Sequence, residues 1–202
     1  MHGPLPHDLL WGMPRLDAAP AWVHAVLEQG QPVVVRREAL AADLVAVGIR
    51  GPRRDQRYAA GLPRAAIRRR VSPEQLASVE AEGDWPALQA LRQLRPLFDA
   101  LGLVWGVGGS AGYQLATGLT VLHQGSDLDL ILRTPQHLSR GWAAELVAEL
   151  ERAACRVDVQ LQLPAGGLAL REWAGTARQV MLKTDHGARL VSNPWQPLEA
   201  CA

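Results

Sequence analysis

The sequence predicts an α/β fold of the α+β kind, in which a mixed sheet in the second half is preceded by a small N-terminal α+β domain. Three observations carry this expectation. An apolar strand-like run at 103–107, LVWGV, breaks into Gly108-Gly109-Ser110 and a helix-compatible stretch, and a second strand follows at Leu128-Asp129-Leu130-Ile131-Leu132. A helical pattern from about Gln136 to Ala154, with Trp142, Leu146, Val147 and Leu150 on its apolar side, then leads to an alternating strand at 156–161, as in a crossover unit. The first half reads differently, because Pro20, Gly30, Pro32 and Gly51-Pro52 keep its elements short. Glu82-Gly83-Asp84-Trp85-Pro86 reads as a linker, which divides the chain into a domain at 1–84 and a second at 85–202.

Composition sets the outer bounds. A chain of 202 residues with 48% hydrophobic and 20% charged residues has enough apolar material to bury a core. Its net charge of +1 argues against a protein that mainly grips a nucleic-acid backbone. No apolar run reaches membrane-spanning length, and Met1-His2-Gly3-Pro4 lacks the charged start and apolar core of a signal peptide. Cys155 and Cys201 are too few for a metal knuckle or a disulfide framework. Cys155 is expected in a core strand and Cys201 on a frayed end. These features together predict a cytoplasmic protein with neither membrane nor nucleic acid as partner.

In chain order, His7-Asp8 reads as an N-terminal cap before a short apolar segment. Residues 20–27 have helical spacing with Gly30 to end it, and 32–37 and 44–49 read as strands. From Arg50 to Arg70 the chain is densely arginine-rich, with Arg53, Arg54 and Arg57 flanking one turn and Arg68-Arg69-Arg70 preceding a helix start at Ser72-Pro73-Glu74-Gln75. The planar guanidinium fork suits phosphate and carboxylate, so this stretch is either a solvated basic face or a site for an anionic ligand or acidic partner. Leu88, Leu91, Leu94, Leu97 and Phe98 form a helical core stripe despite Pro96. Near the end, a short strand and helix at 166–173 lead to a hairpin across Asp185-His186-Gly187. Lys183, on that hairpin, is the sole lysine of the chain and a candidate phosphate ligand.

The chemistry gathers at 108–129. Residues i and i+2 of a strand share a face, so Asp127 and Asp129 point the same way with Cα atoms about 6.6 Å apart. Paired carboxylates at the mouth of a buried strand repel one another and call for a cation, and hard oxygen ligands suit Mg²⁺, with Mn²⁺ as the alternative. A D-x-D by itself is commonly a solvated strand end. Gly108-Gly109-Ser110 supplies the complement: glycine lets backbone approach a phosphate, and a helix opening at Ser110 aims N–H groups at it.

Apolar strand, Gly-Gly-Ser, helix, then a strand carrying D-x-D resembles the nucleotidyltransferase superfamily typified by DNA polymerase beta. That resemblance implies a third carboxylate on a later strand, and Asp158 in Val157-Asp158-Val159-Gln160 supplies it. With Pro6-His7-Asp8-Leu9-Leu10-Trp11, the block from Gly108 to Gly118 and Asn193-Pro194-Trp195, the chain is similar over nearly its whole length to the phosphoribosyl-dephospho-CoA transferases of malonate decarboxylase, also called holo-acyl-carrier-protein synthases. The resemblance implies transfer of 2′-(5″-phosphoribosyl)-3′-dephospho-CoA from its triphosphate, triphosphoribosyl-dephospho-CoA, to a serine of the apo acyl-carrier subunit of malonate decarboxylase, with release of pyrophosphate. It implies Asp127, Asp129 and Asp158 as catalytic metal ligands and Gly108, Gly109, Ser110 and Lys183 on the phosphates. Arg53 and Arg57 are then candidates for docking the carrier or the CoA portion. Two other readings share these motifs: a nucleotidyltransferase with a small-molecule acceptor, and a catalytically silent binding module.

Overall fold

The computed structural model describes residues 3–53 and 55–196; the expectations placed on Arg54 and Cys201 lie outside the described residues. Two compact units divide the chain, Met1–Ser72 and Pro73–Ala202.

The first unit carries β1 (Leu9–Trp11), α1 (Ala21–Glu28), β2 (Val33–Val35), β3 (Leu44–Arg50), β4 (Arg57–Pro63) and β5 (Arg69–Val71). Its strands pair antiparallel in the order β4-β3-β2-β1-β5. Val45, Val47 and Ile49 alternate along β3 and turn inward, where they meet Leu10, Val33, Val35 and Leu62 from the sheet and Val23 and Val26 from α1. Burying each such side chain contributes about 1.5–3 kcal/mol.

The expected cap at His7-Asp8 is instead the entrance to strand β1. Asp8 is fully buried, and its Oδ2 accepts the Leu5 amide and the Arg70 guanidinium, each at 2.7 Å. A buried carboxylate needs such partners, and the ladder of β1 with β5 provides one by setting Leu10 opposite Arg70. Strands β4 and β5 were hidden in the sequence by arginine. Tyr58, Ala60 and Leu62 keep a period-two inward face in β4, although Arg57 and Gly61 interrupt its apolar character. These two strands form opposite edges of the sheet, so Arg57 stands at one edge and Arg68-Arg69-Arg70 at the other. The arginine-rich stretch is therefore not one basic patch.

The second unit carries α2 (Pro73–Ala77), α3 (Pro86–Ala100), β6 (Trp105–Val107), α4 (Gly109–Thr117), β7 (Leu128–Arg133), α5 (Arg140–Leu150), β8 (Val157–Leu163), β9 (Gly166–Ala169), α6 (Leu170–Ala174), β10 (Val180–Thr184) and β11 (Gly187–Val191). Its six strands run in the order β11-β10-β9-β8-β7-β6, a mixed sheet whose parallel pair is β7 and β8. The crossover helix α5 makes that pair possible, since parallel neighbours cannot be joined by a tight turn. Leu128, Leu130 and Leu132 of β7 and Val157, Val159 and Leu161 of β8 are buried on one face. Asp129 and Asp158 lie on the other.

Two sequence boundaries move. The units divide at Ser72 and Pro73, not at 84 and 85, because α2 packs on β6 and α4. A side chain at Gly106 would place its Cβ 2.2 Å from the Pro73 carbonyl carbon, so glycine is what lets α2 lie on the strand. Glu74 of α2 also accepts Arg133 Nε of β7 at 2.7 Å. Helix α5 starts at Arg140, later than the apolar pattern suggested, because Ser139 caps it by accepting the Trp142 amide.

Candidate active site

The end of the sheet where β7 and β8 begin sets two of the three acids side by side. Asp129 sits opposite Asp158 in the parallel register, on strands about 4.8 Å apart. Asp127 precedes β7 rather than lying in it, and is exposed. The segment that delivers it is tied down: Gln114 Oε1 accepts the amides of Val121 and Leu122, each at 3.1 Å, and Ser126 and His123 bond each other at 3.0 and 3.1 Å. Cys155 lies just before β8, half-buried, and is not in a core strand as expected. Burial raises its thiol pKa above the ordinary 9.0; the Leu128 amide opposes this and the Asp127 charge adds to it.

The Asp129 carboxylate lies against Gly109. The glycine φ is +57°, and a Cβ there would stand 1.8 Å from Asp129 Oδ2, so only glycine fits beneath the carboxylate. Gly108, expected on phosphate, is used otherwise. Its amide donates to the Asp129 carbonyl at 2.9 Å and its carbonyl accepts from Gly112, so both backbone groups belong to the scaffold. Gly109 and Ser110 form the opening turn of α4, whose N-cap residue Gly108 offers no side-chain cap.

Asp158 is held by two arginines. Arg156 Nε lies 3.1 Å from its Oδ1, and Arg171 Nε of α6 lies 3.9 Å from the same oxygen. Arg171 also pairs with Glu151. Among the described residues, no group of three His, Cys, Asp or Glu side chains stands close enough to hold a metal ion. The expected ligand set of Asp127, Asp129 and Asp158 is thus not gathered. Asp127 and Asp129 retain the hard-oxygen chemistry and flanking position that fit a divalent cation; Asp158 is engaged by guanidinium.

Lys183 is not brought to this cluster. It pairs with Gly167, which pairs with Gln162, so it stands two strands away from β8 and four residues along from Asp158. That is about 13 Å along the strand and about 10 Å across the sheet. Arg53 pairs with Asp55 at 3.0 Å in solvent, and Arg57 is exposed at the start of β4, both in the first unit.

Sequence reasoning missed Arg156 and Arg171. Arg156 was legible, since it stands two residues before Asp158 and so shares its side of the chain. Arg171 was not, because it reaches Asp158 only through the antiparallel return of β9, which sets Gln160 opposite Ala169.

Comparison with known proteins decides the family. The N-terminal domain of the phosphoribosyl-dephospho-CoA transferase MdcG matches residues 5–73, and the C-terminal domain matches 75–194. The chain belongs to the phosphoribosyl-dephospho-CoA transferase family. The break between the two family domains falls where the units divide. The chain is 60% identical over 201 residues to a phosphoribosyl-dephospho-CoA transferase of Pseudomonas fluorescens, covering 98% of this chain and 97% of the relative. It is 61% identical over 203 residues to that of Pseudomonas syringae pv. tomato, with 98% and 96% covered. It is 57% identical over 205 residues to that of Azotobacter vinelandii, with 98% and 97% covered. No solved structure matches the chain. Family membership makes the chain a transferase of the phosphoribosyl-dephospho-CoA group, and it disfavours both the small-molecule acceptor and the silent module.

Proposed function

We propose that this protein attaches the 2′-(5″-phosphoribosyl)-3′-dephospho-CoA prosthetic group to a serine of the apo acyl-carrier subunit of malonate decarboxylase. The serine oxygen forms a bond to the α-phosphorus of triphosphoribosyl-dephospho-CoA, the bond to the β-phosphate oxygen breaks, and pyrophosphate leaves. The observation that carries this reading is the placement of Asp129 on Gly109, which sets a carboxylate against the opening turn of α4.

In this reading the first-turn amides of Gly109 and Ser110 receive the β- and γ-phosphates. Asp127 and Asp129 hold Mg²⁺, or Mn²⁺ in its place. When bound there, the ion supplies neutralisation of the triphosphate charge. Asp158, beside Asp129, would hold the ion nearest the acceptor and take the serine proton. Arg53 and Arg57 offer exposed cations to an acidic carrier or to the CoA portion. The protein acts in the cytoplasm in this reading.

Intact-mass measurement of the apo carrier after incubation with the protein, donor and Mg²⁺ tests the proposal. The expected gain is the donor mass less pyrophosphate, abolished by EDTA and reduced by at least about a hundredfold in rate in D127N or D129N. R57E should slow loading at low salt and much less at high salt, because such steering is screened. A folded protein that leaves a competent carrier unmodified would sink the reading.

A further inference from the structure

Two guanidiniums are directed at Asp158. Arg156 Nε reaches Oδ1 at 3.1 Å from an exposed position, whereas Arg171 comes from α6 with its side chain only 34% exposed. Arg171 Nε is buried and makes no hydrogen bond, yet stands 3.9 Å from the same Oδ1. Glu151 and the Val157 carbonyl hold the other two nitrogens of that guanidinium. Two arginines and two acids make this quartet neutral within itself. A cation approaching Asp158 from solvent therefore meets a carboxylate that already has its counter-charge, and must displace one to bind it.

We propose that Arg171, with Arg156, is the resident counter-cation of Asp158. In the donor-free protein these guanidiniums hold the carboxylate that a divalent cation would otherwise share with Asp129. Asp158 joins the ion-binding set when the arginines turn to a stronger anion, the triphosphate of the donor. Arginine suits this exchange because its fork accepts carboxylate and phosphate oxygens alike and never loses its charge. The buried Nε, lacking a hydrogen bond, has a partner to gain by the move. Arg171 is thus a positioning residue that links metal occupancy at the third acid to the presence of donor. This inference deepens the proposed transfer reaction and rests on it for the identity of the triphosphate.

The test is a Mn²⁺ titration of the full-length, donor-free protein, followed by electron paramagnetic resonance, which involves neither donor nor carrier. D129N should lose the Mn²⁺ affinity of the wild type. D158N should leave it within about twofold, since Asp158 is not yet available. R171Q should bind Mn²⁺ at least about tenfold more tightly, and R171Q/D158N should return to the wild-type value. R171K, which keeps the charge and loses the fork, should lie between. If R171Q fails to fold, the exposed R156Q should shift in the same direction by a smaller factor. The proposal is overturned if D158N weakens Mn²⁺ binding as much as D129N does, if the tighter binding of R171Q survives in the double variant, or if no arginine variant binds more Mn²⁺ than the wild type. Failure of the transfer reaction itself would appear as an unmodified carrier, with these titrations unchanged.

Discussion

Gly109 takes a left-handed φ of +57° directly under the Asp129 carboxylate, so two constraints on one residue meet there. Alanine at this position pays about 1–2 kcal/mol for the backbone and must also push the carboxylate aside. Displacing a catalytic group by an ångström costs about a hundredfold in rate. G109A should therefore lose roughly that factor in carrier loading while melting only a few degrees below the wild type. Equal turnover in the two proteins would separate Asp129 from the chemistry.

Cys155 gives a second residue-scale reading of the same site, one that needs no substrate. Its thiol pKa is raised chiefly by burial, so the thiolate fraction is small at neutral pH and grows as pH rises toward the folded value. Alkylation by iodoacetamide should be slower than for a free thiol and should accelerate with pH. The Asp127 charge adds to the rise, so D127N should lower the thiol pKa and speed alkylation at fixed pH by about twofold. An unchanged rate in D127N would show that Asp127 points away from the β7–β8 entrance.

At the scale of the element, the loop from β7 to α5 is braced by residues remote in sequence. Trp195 Nε1 donates to the Thr134 carbonyl and Trp173 Nε1 to the Leu138 carbonyl, each at 2.9 Å, and the two indoles meet edge-on at 5.1 Å. Arg140 stacks on Trp173 with its Cζ 4.1 Å from the ring centre and donates to the carbonyls of Trp173, Gly175 and Ala177. The Asn193-Pro194-Trp195 motif therefore closes the far end of β7 rather than the catalytic end. Ser139 starts α5 within this frame, and S139A should destabilise the second unit by about 1 kcal/mol in a denaturant melt. Its loading rate should stay near normal, because the loop lies at the end of β7 away from Asp129. Much of this element pattern was legible: helix α3, the strand pair around Gly108 and the β10–β11 hairpin all follow from spacing and turn residues. Strands β4 and β5 were not, since arginine on the outward face breaks the alternation that would reveal them.

At the scale of the whole molecule, the position of α2 decides which residues form the second unit. A fragment of residues 73–202 keeps α2 on Gly106 and keeps the Glu74–Arg133 pair, which is only 25% and 20% exposed at its two side chains. A fragment of residues 85–202 loses both and uncovers β6. The first should unfold cooperatively on heating, and the second should melt at least several degrees lower or aggregate. The reverse order would restore the boundary at 84 and 85. Among the described residues no helix is long and apolar enough to cross a membrane.

By itself the sequence determined the strand–glycine–helix–strand order, the three acids and the family they announce, because each rests on local spacing that a turn, a helix or a strand imposes on its own residues. Tertiary structure alone decided how those parts are used. Parallel pairing of β7 with β8 set Asp129 beside Asp158, and the ladder beside Asp129 took up the Gly108 amide. The register of β10 carried Lys183 away from the acids, and the return of β9 brought Arg171 to Asp158. Contacts of this kind join residues far apart in the chain, and their partners are chosen by sheet order and register, which no local pattern encodes.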